Sequence, residues 1–212
     1  MTTGKFIALE GGEGAGKSTQ ALMLAAALET RGISCIVTRE PGGTPGAEAI
    51  RALLLGIDGD GWNPRAEALL FAAARSDHVE RLICPALERG RWVICDRFVD
   101  SSRAYQGGGG GLSDAAVVAL HQIGSQGLLP DLTLLIEVTP AVAAARLAQR
   151  DGGAADRIGG REATYHAAVA AAFVRFTAAE PARFARIDGN VSAEAVHAAI
   201  IAAVGALPDI TA

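Results

Sequence analysis

Lysine is almost missing from this chain: 17 of the 19 basic residues are arginine, and Lys5 and Lys17 are the only lysines. Basic residues are also outnumbered by 23 Asp and Glu, which leaves a net charge of −4. That shortage argues against a protein that coats nucleic acid, because duplex binding relies on surplus basic surface. A local basic pocket for a small polyanion stays open. Aromatics are scarce at 5%, and the apolar half of the chain is dominated by alanine, which predicts helices packed closely on small side chains. The three cysteines, Cys35, Cys84 and Cys95, are far apart and form no CxxC pair, so they read as reduced, buried thiols in a cytosolic protein rather than zinc ligands. No apolar run reaches the roughly 18 residues of a bilayer span, and Met1 to Lys5 lead straight into a strand-like segment rather than a signal sequence. The expectation is a soluble cytoplasmic protein with neither nucleic-acid nor membrane partner.

What is present has the length of one domain, residues 1–212, in which short β-branched or apolar runs alternate with helical stretches. Strands are predicted at Phe6 to Leu9, Ile33 to Thr38, Trp92 to Cys95, Leu132 to Val138 and Phe184 to Ile187. Helices are predicted from Lys17 to Thr30, from Ala47 to Leu55, from Pro64 onward, from the Ser113 cap, from Pro140, from Arg161 to Ala179 and from Ser192. Pro85 should bend or divide the long helix. The run Gly107 to Gly111 reads as a flexible or tightly turned loop beside the site. Such alternation calls for a parallel sheet covered by helices on both faces.

The strongest motif is Gly11-Gly12-Glu13-Gly14-Ala15-Gly16-Lys17-Ser18, followed by Thr19. It matches G-x-x-x-x-G-K-[ST] and sits between a predicted strand and a predicted helix, the context a phosphate-binding loop requires. Its glycines let backbone N–H groups curl around phosphate oxygens, and the helix N-terminus adds partial positive charge. Lys17, expected in an exposed loop, can reach the β- and γ-phosphates, and Ser18 offers a hydroxyl to Mg²⁺. With two lysines in the chain, the guanine-reading Asn-Lys-x-Asp of GTPases cannot occur. Size and scattered arginines suit a small-molecule phosphotransferase. Asp96-Arg97 closes the third strand at the edge where doubly wound folds place ligands. Asp96 could hold Mg²⁺, directly or through water, and Arg97 could fork an acceptor phosphate, the alternative being a strand-end salt bridge.

Beyond the loop, the chain resembles the thymidylate kinases among the nucleoside monophosphate kinases. The resemblance rests on Leu9-Glu10-Gly11, Thr38-Arg39-Glu40-Pro41-Gly42-Gly43-Thr44, Phe71-Ala72-Ala73-Ala74-Arg75, Asp96-Arg97-Phe98, Ala104-Tyr105-Gln106-Gly107 and Pro130-Asp131-Leu132-Thr133. It implies a P-loop NTPase three-layer α/β sandwich with a five-stranded parallel sheet, conversion of dTMP to dTDP with Mg·ATP, and a homodimer. It also implies that Arg39 is a second contact to the dTMP phosphate, with pairing to Glu40 or an interface role as alternatives. Phe71 would stack on thymine, Arg75 would hydrogen-bond its carbonyl edge, and Tyr105 would pack on deoxyribose, while Ser102 and Gln106 flank the same pocket. Glu13 would meet the sugar 3′-hydroxyl or position a phosphate-binding arginine, and Glu10 a water or the metal. Phe98 stands where relatives often carry His or Tyr.

The P-loop contains no arginine, and in members of this kind the resemblance implies that a lid, here about residues 146–161, supplies the charge. Arg150, supported by Arg146 and Arg157, is the expected neutraliser of the transferring group. Alternatives within the sequence are a kinase for another monophosphate or a deoxynucleoside, or a nucleotide-binding regulator without transfer activity.

Overall fold

Five parallel strands, β1 (Phe6–Glu10), β2 (Cys35–Arg39), β3 (Trp92–Asp96), β4 (Leu132–Glu137) and β5 (Phe184–Asp188), form one sheet in the order β2-β3-β1-β4-β5. The computed structural model describes residues 4–56, 61–151 and 161–207, with backbone alone for 150 and 151. β1, and β3 and β4 up to their last residues, are buried, which is why they read as unbroken apolar runs, whereas edge strand β2 is buried only at Cys35 and then alternates half-buried and exposed positions. The chain leaves β1 toward β2 and later returns to β4 on the other side, so the crevice at the carboxyl ends of β1 and β3 is a topological switch point. Pairing of Leu9 and Arg39 with Asp96, and of Glu10 with Leu135, brings the motif-bearing strand ends to that edge in register.

The two faces of β1 alternate strictly. Ile7 and Leu9 pack with Leu24 and Leu28 of helix α1 (Lys17–Glu29) and Ile200 and Val204 of α9 (Ala193–Gly205). Phe6 and Ala8 face Val79, Ile83, Phe98 and Val99 on the other side. The predicted caps are present: Ser113 accepts from Ala116 N at the start of α6 (Asp114–Ser125), and Ser192 from Ala195 N at the start of α9. Helix α2 (Pro45–Leu55) begins two residues earlier than expected, because Thr44 caps it and Pro45 occupies its first turn. β2 begins later than expected because Ile33 N closes the end of α1 on Leu28 O.

Pro85 does divide the long helix. α3 (Pro64–His78) passes through a π-helical turn, Val79–Ile83, into α4 (Cys84–Glu88). The glycine run departs from expectation. α5 (Val99–Ser102) continues into π-helical turns over Arg103–Gly109, so Gly107, Gly108 and Gly109 are helical and the loop begins only after them. The reason is close packing. A Cβ on Gly109 would lie 2.5 Å from Tyr165 Cε2, and one on Gly108 2.8 Å from Ala172 Cβ, both on α8 (Ala163–Ala179). α7 (Pro140–Asp151) completes the element set. All three cysteines are free thiols; Cys35 and Cys95 are buried and Cys84 is half-buried.

Candidate functional site

Between β1 and α1 the chain turns through Gly11, Gly14 and Gly16, whose φ values of 137°, 72° and 90° favour glycine. A Cβ at Gly11 would also lie 2.3 Å from Ile136 O, so the loop hugs the end of β4. Helix α1 starts without a side-chain cap, which leaves its first N–H groups to the loop. Lys17 corrects the expectation of an exposed lysine. It is 7% exposed, and Nζ donates to Gly11 O at 3.1 Å and Gly12 O at 2.8 Å. Burial, and then the neighbouring Arg97 charge, pull its ammonium down to about 8.

The loop residues Glu13 to Thr19 line a cavity of about 900 Å³ together with Arg39, Asp96, Arg97 and Arg146. Ser18 Oγ donates to Asp96 Oδ2 at 2.5 Å. Two hard oxygen donors side by side suit Mg²⁺, which takes one or two protein ligands and completes its shell with phosphate and water. Among the described residues no cluster of three or more metal-ligating side chains is assembled, so any cation here must share its shell in that way.

A second, smaller recess of about 100 Å³ adjoins the first. Phe71 and Arg75, one helical turn apart on α3, line it with Ser102, Tyr105 and Gln106 from α5 and the π-helical segment. Arg97, Glu13, Glu40 and Arg51 line both spaces and so stand at their boundary. Arg97 adopts a φ of 71°, its guanidinium lies 5.0 Å from the centroid of the Tyr105 ring, and Nη1 donates to Gly11 O and Ser101 Oγ, each at 3.2 Å. Arg75 is buried, with Nε donating to Glu40 Oε2 at 2.7 Å and Nη2 to Ser102 Oγ at 2.8 Å.

A model of the thymidylate kinase family matches residues 9–200. The chain belongs to that family. The thymidylate kinase of Rhizorhabdus wittichii is 56% identical over 204 residues, covering 96% of this chain and 98% of that protein. That of Caulobacter vibrioides is 48% identical over 200 residues, covering 94% and 95%. The crystal structure of thymidylate kinase from Ehrlichia chaffeensis superposes with a TM-score of 0.76 at 30% identity, covering 95% of this chain and 99% of that one.

One expectation carried from the family motifs changes in place. Glu10, expected at a water or the metal, is fully buried. Its Oε1 accepts from Phe98 N (2.9 Å) and Ser101 N (3.0 Å), and its Oε2 from Ser101 Oγ (2.6 Å), so it holds the loop after Arg97. Burial, reinforced by the Asp100 charge, pushes its carboxyl up to about 7. Arg39 lines the larger cavity but not the recess, and it pairs with Glu48 at 3.0 Å while Glu40 turns inward. Arg146 reaches the P-loop from α7, with Nη2 donating to Gly189 O at 2.8 Å and Nη1 lying 3.4 Å from Gly14 O. The side chain of Arg150, and Arg157 altogether, lie outside the described residues.

Glu40, Arg51 and Glu67 were given no place in the recess from the sequence. Glu40 was legible as part of a quoted motif and as the alternative partner of Arg39. It joins Arg75 to His78, whose Nδ1 lies 3.2 Å from Glu40 Oε1 and whose Nε2 lies 2.7 Å from Thr38 Oγ1. Arg51 donates to Pro41 O at 2.8 Å and carried no signal beyond being an arginine on a helix. Glu67, on the first turn of α3, is buried.

Proposed function

We propose that this chain transfers the γ-phosphoryl group of Mg·ATP to dTMP, giving dTDP, and that the larger cavity takes ATP while the recess takes the nucleoside of dTMP. The observation that carries the reading is the boundary position of Arg97, which lines the P-loop cavity and the recess at once. An arginine there can grip the acceptor phosphate in the line of transfer. A phosphate oxygen is already a nucleophile, so the protein needs neither a covalent intermediate nor a strong base. Its task is to align two anions and screen their repulsion.

In this reading Lys17 meets the β- and γ-phosphates, Phe71 and Arg75 take the thymine, and Tyr105 takes the sugar. Arg39 adds charge beside the transferring phosphates. Ser18 and Asp96 are the residues that would hold Mg²⁺, which would supply positive charge to screen the phosphates. The segment 146–161 acts as a lid that brings Arg150 and Arg157 to the transferring group and excludes water. A cytoplasmic homodimer completes the reading. Its support is apolar side chains left exposed on contacting helices, Leu53 of α2 (53%), Leu69 of α3 (56%) and Ile123 of α6 (83%).

Incubation with Mg·ATP and a panel of nucleosides and monophosphates tests the proposal. dTMP should be phosphorylated fastest, and a faster reaction with another acceptor would overturn it. Lys17→Ala should remain folded and lose at least ~100-fold in kcat, about 2.7 kcal/mol. Undiminished turnover in that variant would remove the P-loop from the mechanism.

A further inference from the structure

One residue lining the recess carries a buried hydrogen-bond acceptor that no donor among the described residues meets. Gln106 is 2% exposed and lines the recess with Phe71 and Arg75. Its Nε2 donates to Glu67 Oε1 at 3.0 Å, while its Oε1 has no partner among the described residues. Which end of a glutamine amide points which way normally follows from its hydrogen-bond network. Here Glu67 decides it. An ionised carboxylate can only accept, so the NH₂ end must face Glu67 and the carbonyl end must face away. Glu67 is itself 2% exposed, and a buried carboxylate requires a charge partner. Arg161, just ahead of α8, supplies one, with Nη2 at 2.5 Å from Glu67 Oε2. The same guanidinium lies 4.6 Å from the centroid of the Tyr165 ring, whose hydroxyl donates to Tyr105 O at 2.9 Å. The adjoining pocket residues Tyr105 and Gln106 are therefore both fixed from the Arg161 side.

We infer that Glu67 is a positioning residue for base selection, holding Gln106 so that Oε1 is offered to the recess as an acceptor. The pocket then takes a base that presents a ring N–H, an imide such as thymine or uracil. It disfavours cytosine, whose corresponding ring nitrogen is itself an acceptor and would leave two acceptors facing each other. The inference rests on the dTMP reading and adds to it the residue that sets the polarity of the base contact.

Dissociation constants for dTMP, dUMP and dCMP, measured by calorimetry on the intact protein, test this without relying on turnover. In Glu67→Gln the facing amide can offer either end, so Gln106 is no longer fixed. The preference for dTMP over dCMP should fall by roughly tenfold or more, with dUMP following dTMP. In a Gln106→Ala background the same substitution should change the preference less than about twofold, because Glu67 acts through Gln106. Equal weakening of dTMP and dCMP, or an unchanged ratio, would overturn the inference, as would full additivity with Gln106→Ala. If wild-type protein binds no dTMP, it is the dTMP reading that fails. Should Glu67→Gln not fold, Arg161→Gln removes the cation that orients Glu67. A fall in preference of about threefold or more then supports the inference, and an unchanged preference overturns it.

Discussion

Arg75 Nε and Glu40 Oε2 lie 2.7 Å apart with both side chains almost wholly buried, at 3% and 4% exposure. Both residues line the recess, and Nη2 of the same guanidinium is taken by Ser102 Oγ and Phe98 O. Arg75 is thus held by protein on two of its nitrogens.

Breaking that pair leaves a buried charge without compensation, which typically costs about 3–5 kcal/mol. Glu40→Ala should therefore lower the unfolding free energy by about 3 kcal/mol in urea. Arg39→Ala, which breaks the exposed pair with Glu48, should cost under about 1 kcal/mol. Similar losses in the two variants would show that burial is not what gives the Glu40 pair its weight.

Tyr105 is buried beneath Arg97 and its ring closes one side of the recess. Tyr105→Ala is expected to narrow the gap between deoxyribose and ribose monophosphates by opening room at the 2′ position. The quantity to compare is the ratio of kcat/KM for the two sugars. A ratio that stays put would place the steric gate elsewhere.

In the proposed reading Arg150 carries the transition-state charge, and Arg146 is already engaged by the carbonyl of Gly189. Arg150→Ala should lower kcat at least ~30-fold, about 2 kcal/mol, with little change in the KM for dTMP. In the same reading Arg97→Ala removes a ground-state grip on the acceptor phosphate and should raise that KM as well. If Arg150→Ala instead raises the KM for ATP and spares kcat, the residue is a ground-state clamp.

Glu10 titrates at about 7 in the folded chain, against 4.5 for its ordinary value, because burial and then the Asp100 charge disfavour its ionised form. The folded state therefore holds more protons than the unfolded state between about pH 4.5 and 7, and this group's contribution to stability falls as pH rises through that window. Glu10→Gln can still accept from Phe98 N and Ser101 N while removing the proton. The difference in unfolding free energy between wild type and variant should shift in the variant's favour from pH 5 to pH 8. A difference independent of pH would assign the titration to another group.

The elements legible in the sequence are those whose causes are local. A β-branched run, a capping serine ahead of apolar spacing, and glycines where φ must be positive act over a few residues, so strands, helix starts and the P-loop could be read directly. The glycine run misled because its reason lies elsewhere in the chain: Gly108 and Gly109 are small to admit Ala172 and Tyr165 of α8, not to make a loop. Glu10 misled in the same way. An acid beside a phosphate loop reads as a contact to water or metal until the turn after β3 brings Phe98 N and the Ser101 hydroxyl to its oxygens.

By itself the sequence determined an α/β chain with a P-loop, and its motifs picked out Phe71, Arg75, Ser102, Tyr105 and Gln106, which the fold gathers around one recess. Only the tertiary structure decided that Lys17 is buried, that Glu40 faces Arg75 from 35 positions away, and that Arg161 reaches Glu67 across 94. Those facts depend on the strand order β2-β3-β1-β4-β5, which chooses the chain segments that meet at the carboxyl edge. Burial and charge pairing belong to what surrounds a residue, and here the surroundings come from distant parts of the chain.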